Sequence, residues 1–214
     1  MAEPTRRVVV GGTGTEIGKT HVACALATTL VSRGLTVGAR KPAQSFDPGS
    51  DPTDADLLGA ATGEAPEVVC PPHRCYARAM APPMAAEVLG APPVHLADLL
   101  GELTWPPGSD VVLFESAGGL RSPIALDGDT LDLAAGLRAD VLVVIADAGL
   151  GTINAVRQAA ELTDRHVPDP HLVVHLNRFD DVDELHRANL AWLRAREGLA
   201  PTTTVAALTD AVLG

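Results

Sequence analysis

Arg7-Val-Val-Val-Gly-Gly12-Thr-Gly-Thr-Glu-Ile-Gly18-Lys19-Thr20 is the stretch on which the fold turns. A short valine-rich run ending in paired glycines reads as a buried strand, and the amphipathic run from about Gly18 to Ser32, stopped at Gly34, reads as a helix. The glycines between them let backbone N–H groups wrap a phosphate chain at the positive end of that helix. Lys19 then reaches the β- and γ-phosphates, and the Thr20 hydroxyl ligates Mg²⁺. The spacing departs from the usual G-x-x-x-x-G-K-[ST], because five residues rather than four separate Gly12 from Gly18.

Outward from this unit the same rhythm continues. Strands are expected at 35–39, 110–115, 140–146 and 171–176. Helices are expected near 53–61, 94–103, 130–137, 152–163 and 182–196. Ser45 to Pro52 reads as a polar loop, and the proline-rich stretch from Gly63 to Pro93 as short helical pieces. Strands alternating with helices predict an α/β fold, a doubly wound and mostly parallel sheet flanked by helices. In such sheets ligands sit beyond the carboxyl ends of the strands. Lys19, Lys41, Glu115, Leu150-Gly151 and Asn177 all fall there.

Composition narrows the function. The 214 residues carry 27 acidic and 16 basic side chains, a net charge of −11, which argues against a nucleic-acid partner. No apolar run is long enough to span a bilayer, and the N-terminus lacks a signal-peptide core. Three cysteines make no disulfide framework. These features predict one soluble, cytoplasmic domain over residues 1–214. Only two of the 16 basic residues are lysines, Lys19 and Lys41. In so arginine-biased a chain, a surviving lysine marks a place where a compact ammonium cannot be exchanged for a planar fork.

Glu115 ends an apolar strand, as a metal-binding carboxylate beside a phosphate loop should. Asp54 is either a second metal carboxylate or a helix N-terminal charge. Lys41-Pro42 ends another strand, with Ser45 four residues on, so that an ammonium and a hydroxyl face the phosphate site; a surface lysine is the plain alternative.

The ordered set resembles the dethiobiotin synthetase family. It comprises Gly12-Thr-Gly-Thr-Glu-Ile-Gly-Lys-Thr20, Lys41-Pro-Ala-Gln-Ser45, Asp54, Glu115-Ser-Ala-Gly-Gly119, Leu150-Gly-Thr-Ile-Asn154 and Asn177, in family order across residues 7–178. The first motif is shared with cobyrinate amidotransferases and partition ATPases, but no lysine opens the loop as in the partition type. The resemblance implies a P-loop NTPase fold and a homodimer. It implies ATP as co-substrate, Mg²⁺ as cofactor, and 7,8-diaminopelargonate with CO₂ or bicarbonate as substrates. Their product would be a cyclic urea formed through a carbamate and a carbamic–phosphoric anhydride.

By that resemblance Lys41, Lys19 and Thr15 are catalytic. Gly12, Thr13, Gly14, Glu16, Ile17, Gly18, Lys19, Thr20 and His21 hold the nucleotide, joined by Asp54, Glu115, Ser116, Ala117, Gly118 and, at the adenine edge, Asn177. Thr20, Asp54 and Glu115 ligate Mg²⁺. Ser45, Gly118, Leu150, Gly151, Thr152 and Asn154 bind the substrate, the loop around Gly149 to Asn154 receiving the partner subunit's substrate carboxylate. This chain has Phe46, Ser116, Ala155 and Arg178 where the family has Gly, Gly, His and Asp. For the adenine loop, Ala200-Pro201 or Ala206 to Leu208 stand in. The rival readings are a nucleotide switch of the same fold and a ligase for another amine or acid. Lys41 separates the first, because a switch needs no second lysine over the γ-phosphate.

Two other features read as structural. Cys70-Pro-Pro-His73-Arg-Cys75 lacks the fourth ligand of a structural zinc site, and Asp180 to Glu184 reads as a helix cap.

Overall fold

A computed structural model describes residues 5–167 and 169–214. Strand β1 (Arg6–Gly12) leads into helix α1 (Lys19–Ser32), followed by β2 (Val37–Arg40) and a two-residue strand β3 (Gln44–Ser45). Next come α2 (Asp54–Thr62), α3 (Pro66–Val69), a 3-10 turn at Pro72–Arg74, β4 (Cys75–Tyr76), α4 (Pro82–Val88) and α5 (Leu96–Glu102). The second half alternates strictly: β5 (Val111–Glu115), α6 (Thr130–Leu137), β6 (Val141–Asp147), α7 (Thr152–His166), β7 (His171–Asn177), α8 (Glu184–Glu197) and α9 (Val205–Leu213).

Five strands form one sheet in the order β2-β5-β1-β6-β7, with every neighbouring pair parallel. This is the doubly wound sheet expected from the sequence. A parallel sheet covered on both faces needs strands apolar on both sides, and β5 and β6 supply them. Val8, Val10, Leu113, Val143 and Ile145 pack with Leu26, Leu30, Leu208 and Val212 on one face. Val9, Phe114, Leu142 and Val144 pack with Leu99, Leu131 and Leu133 on the other. The alternation Val8, Val9, Val10 is the two-residue strand period read directly from the sequence. Among the described residues no helix is long and apolar enough to cross a membrane.

Capping sets where the helices begin. Thr53 and Asp56 form a reciprocal capping box at the start of α2, which engages Asp56 and leaves Asp54 free to face the sheet. Asp183 caps α8, accepting from the N–H groups of Leu185 and His186, so the acidic run is the expected cap. Among the described residues no side chain caps α1. Its first N–H groups therefore face the loop and are available to an anion.

The structure differs from expectation in three places. Gln44 and Ser45 pair with Cys75 and Tyr76 as a small parallel sheet, where a loop was expected from Ser45 and short helical pieces around Cys75. The second strand starts at Val37 and ends on Arg40, whose buried guanidinium is held 2.7 Å from Glu64. A last helix, α9, was not foreseen; it is capped by Thr204 and packs Leu208 and Val212 on the core beside α1. It takes in Ala206 to Leu208, which are therefore helical and not a loop.

Candidate active site

The phosphate loop is braced from both sides. Thr13 N–H donates to Ile145 O (2.9 Å), and Leu120 N–H donates to Gly12 O (3.0 Å). From the end of β7 the Asn177 amide donates to Ile17 O (2.8 Å), and Arg178 donates to Glu16 O (3.1 Å). Gly18 has φ +88°, and a Cβ there would lie 2.3 Å from Asn177 Nδ2, so both backbone handedness and space demand glycine. Lys19 Nζ reaches back across the loop to Gly14 O (2.7 Å).

Beside this loop four side chains from four segments converge. Thr20 Oγ1 lies 2.9 Å from Asp54 Oδ1 and 2.8 Å from Glu115 Oε1. A hydroxyl has one proton, so it donates to one carboxylate at a time. Lys41 Nζ bridges the same two groups, 2.6 Å from Asp54 Oδ2 and 2.6 Å from Glu115 Oε1. Pro42 ends β2 and turns the chain so that Lys41, directly after the strand, points inward; its N–H donates to Val69 O (2.8 Å).

Electrostatics follow from burial and these neighbours. Burial pushes Lys19 down, and the like charge of Lys41 adds to it; against the pull of Glu115 and Asp54, its pKa is lowered to about 8. Burial alone would lower Lys41 as well, but Glu115 and Asp54 outweigh it and hold the ammonium well above the ordinary lysine range. Burial opposes ionised Asp54, but the charge and hydrogen bond of Lys41, helped by Thr20, keep its carboxyl below the usual range.

These groups line a cleft of about 690 Å³ at the carboxyl edge of the sheet. It brings together Thr15, Glu16, Gly18, Lys19, Thr20, His21, Lys41, Ser45, Asp54, Glu115, Ala117 and Gly118. Gly12, Thr13, Gly14 and Ile17 complete the loop behind it. Ser116 does not face the cleft: it is buried with its hydroxyl 2.7 Å from that of Thr130. Asn177 engages the loop backbone. Leu150, Gly151 and Asn154 are exposed and lie off this cleft, and Thr152 is buried with its hydroxyl donating to Asp147 O.

Sequence reasoning missed the opposite wall, Ala79 to Pro82 with Ser122 and Pro123. It also gave Gln44 no role. Gln44 Oε1 accepts from Ala55 N–H (3.0 Å), next to Asp54, and so fixes the start of α2 against β3. Its place inside Lys41-Pro-Ala-Gln-Ser45 was the only available signal.

The donor set fits Mg²⁺. Glu115 Oε2 is buried with no hydrogen-bond partner among the described residues, and an unsatisfied buried carboxylate oxygen is costly unless a cation takes it. No group of three His, Cys, Asp or Glu side chains converges among the described residues. Two carboxylates and a hydroxyl are instead the sparse oxygen set of an ion that keeps waters and phosphate oxygens.

The AAA domain family matches residues 6–189. An ATP-dependent dethiobiotin synthetase BioD of Anaeromyxobacter dehalogenans is 38% identical over 203 residues, 91% of this chain and 88% of that protein. The chain belongs to the AAA domain family and, within it, to the dethiobiotin synthetases. The synthetase of Caulobacter vibrioides is 38% identical over 73% of each chain. That of Streptomyces avermitilis is 37% identical over 89% of this chain and 79% of its own. Among solved structures, a plasmid partition protein from Borrelia burgdorferi superposes with a TM-score of 0.60 at 13% identity, covering 99% of this chain and 97% of its own. The septum site-determining protein MinD of Pyrococcus horikoshii does so at 0.52 and 16%, covering 94% and 79%. These two share the fold of the dethiobiotin synthetase chain.

Proposed function

We propose that the chain is an ATP- and Mg²⁺-dependent cyclo-ligase that converts 7,8-diaminopelargonate and CO₂ to dethiobiotin, the ring-forming step of biotin biosynthesis. The observation that carries this reading is Lys41, clasped between Asp54 and Glu115 beside the phosphate loop. One substrate amine adds to CO₂ with loss of a proton, giving a carbamate. A carbamate oxygen attacks the γ-phosphorus, and ADP leaves. The second amine then attacks the carbamate carbon and expels phosphate, which keeps that oxygen, as the cyclic urea closes.

The chain contributes position and charge. The uncapped N-terminus of α1 and the loop N–H groups hold the phosphates, with Lys19 across the mouth. Lys41 stays an ammonium, so it serves as a fixed positive charge for the carbamate and the transferring phosphoryl group and does not act as a base. Thr15 and Ser45 sit on the same cleft to hold the carbamate and amine region. Thr20, Asp54 and Glu115 would hold Mg²⁺, which supplies charge neutralisation on the phosphate oxygens. Asn177, which already grips the loop, reads the adenine edge.

The Leu150-Gly-Thr-Ile-Asn154 segment, at the N-terminus of α7 with Leu150, Gly151 and Asn154 exposed, fits a carboxylate delivered by a partner subunit, and so a homodimer. We take residues 1–214 as one domain. Its free thiols suit a reducing, cytoplasmic setting.

Oxygen-18 transfer tests the chemistry. Bicarbonate labelled with ¹⁸O, supplied with 7,8-diaminopelargonate and Mg-ATP, is expected to place one label in the released phosphate. Unlabelled phosphate alongside product would mean that water, not the carbamate, attacks phosphorus.

A further inference from the structure

Cys70 and Cys75 have no part in this reaction, yet their sulfurs lie 3.5 Å apart as free thiols. The approach is built from stiff parts. Cys70 is the buried C-cap of α3, and Cys75 is the half-buried first residue of β4. Pro71, Pro72 and the 3-10 turn fold the chain back between them. Arg74 anchors that turn through two hydrogen bonds to Glu102 (2.9 and 2.6 Å). His73 also faces Glu102, at 3.1 Å, and no group of three metal-ligating side chains gathers here among the described residues.

The pair touches the active site at both ends. Val69, just before Cys70, accepts the Lys41 N–H. Cys75 stands opposite Gln44 in the β3–β4 register, and the Gln44 amide lies 3.2 Å from its sulfur. Gln44 in turn accepts from Ala55, next to Asp54.

We propose that Cys70 and Cys75 form a reversible dithiol–disulfide site that exchanges with low-molecular-weight disulfides, and that closing it displaces Lys41 and Gln44. The half-buried Cys75 thiolate attacks one sulfur of the small disulfide, releasing one small thiolate and leaving a mixed disulfide. Cys70, giving up its proton, then attacks the Cys75 sulfur and expels the second small thiol. The protein loses two electrons and two protons, and one small disulfide gains them to become two thiols. The hydrogen bond between the two thiols, with further help from Gln44, holds Cys75 below the ordinary thiol range, while the same bond and burial hold Cys70 above it. Cys75 is thus the attacking sulfur and Cys70 the resolving one. A disulfide requires the sulfurs to close from 3.5 Å to about 2.0 Å, which pulls on both ties to the site.

The test treats the full chain with glutathione disulfide, blocks remaining thiols by alkylation, and maps tryptic peptides. Arg74 lies between the two cysteines, so the disulfide joins peptide 41–74 to peptide 75–78. The expected result is that joined pair with Cys24 still alkylated. Turnover should fall by at least about tenfold, the scale of a small misplacement at a reacting centre, and return with dithiothreitol. Cys75→Ser should keep turnover and ignore the oxidant, and Cys70→Ser should stop at the mixed disulfide on Cys75. Absence of the joined peptides, unchanged turnover in the joined form, or an oxidant-sensitive Cys75→Ser would each overturn the proposal. Its effect on turnover rests on the proposed reaction. Should reduced protein make no dethiobiotin, that reaction falls while peptide mapping still decides the dithiol.

Discussion

Lys41 Nζ lies 2.6 Å from Glu115 Oε1, with only 3% of the lysine side chain and 1% of the glutamate side chain exposed. Glu115 ends β5 and Lys41 directly follows its neighbour β2, and Glu115 with Asp54 supplies the opposite charge that Lys41 faces. Glu115 keeps its second oxygen unpaired beside Thr20 and Asp54. Charge that is stored this way at the mouth of a phosphate loop is arranged for a ligand that brings both a cation and an anion.

Lys41→Ala is therefore expected to separate binding from chemistry. Mg-ATP affinity, measured by calorimetry, should change little, and product formation should fall by at least about a hundredfold. The variant also leaves Glu115 buried without its cation, which costs about 3 kcal/mol of stability. Mg²⁺ with nucleotide should restore part of the lost melting temperature. Lys41→Arg should not rescue turnover, because a planar fork cannot replace a compact ammonium between two carboxylates.

Glu115→Gln tests the metal assignment. It keeps the shape of the side chain but removes its charge, so the Mg²⁺ concentration for half-maximal turnover should rise by more than about tenfold. An unchanged Mg²⁺ requirement would move the metal to other ligands.

Nucleotide affinity should depend on pH through Lys19. Its pKa in the folded chain is lowered to about 8, so the ammonium is present below that pH and is lost above it. Affinity for Mg-ATP should be flat up to about pH 7, be reduced to about half near pH 8, and above that weaken by up to about tenfold per unit. Stability moves the other way. Between about 8 and the ordinary lysine value of about 10.4 the unfolded chain binds the extra proton, so this group makes folding more favourable as pH rises. Lys19→Met should flatten the affinity profile.

Gly18→Ala should damage the loop. The positive φ alone costs about 1–2 kcal/mol for a residue with a Cβ, and the new methyl meets Asn177 Nδ2 at 2.3 Å. Denaturant melts should show the loss. Adding Asn177→Ala should recover the steric part and leave the backbone part.

Much of this site is legible in the sequence where it is local. The valine run, the glycines and Lys19-Thr20 lie within one strand–turn–helix, so spacing alone reveals their geometry. Glu115 is legible because the apolar run of β5 stops on it. The partnership of Lys41 with Glu115 spans 74 positions and depends on β2 lying beside β5, which no local pattern encodes. The same holds for β3 and β4, whose two residues each have no period to read. Ser116 shows the opposite case: it follows a site residue, but strand alternation turns it inward against Thr130. Helix α9 was hidden because its apolar face has meaning only against α1.

Subunit mixing tests the shared site. If the Leu150–Asn154 segment of one subunit serves the cleft of its partner, an inactive Lys41→Ala chain and an inactive loop variant such as Gly151→Pro should regain turnover when co-refolded. Each mixed dimer then holds one intact site. No recovery would confine the site to a single chain.

The most direct measurement of the central claim is product analysis by mass spectrometry. The purified chain is incubated with 7,8-diaminopelargonate, bicarbonate and Mg-ATP while phosphate release is followed in parallel. The account predicts dethiobiotin appearing in step with phosphate, one for one. Tight Mg-ATP binding without dethiobiotin would contradict it and leave only the phosphate loop standing.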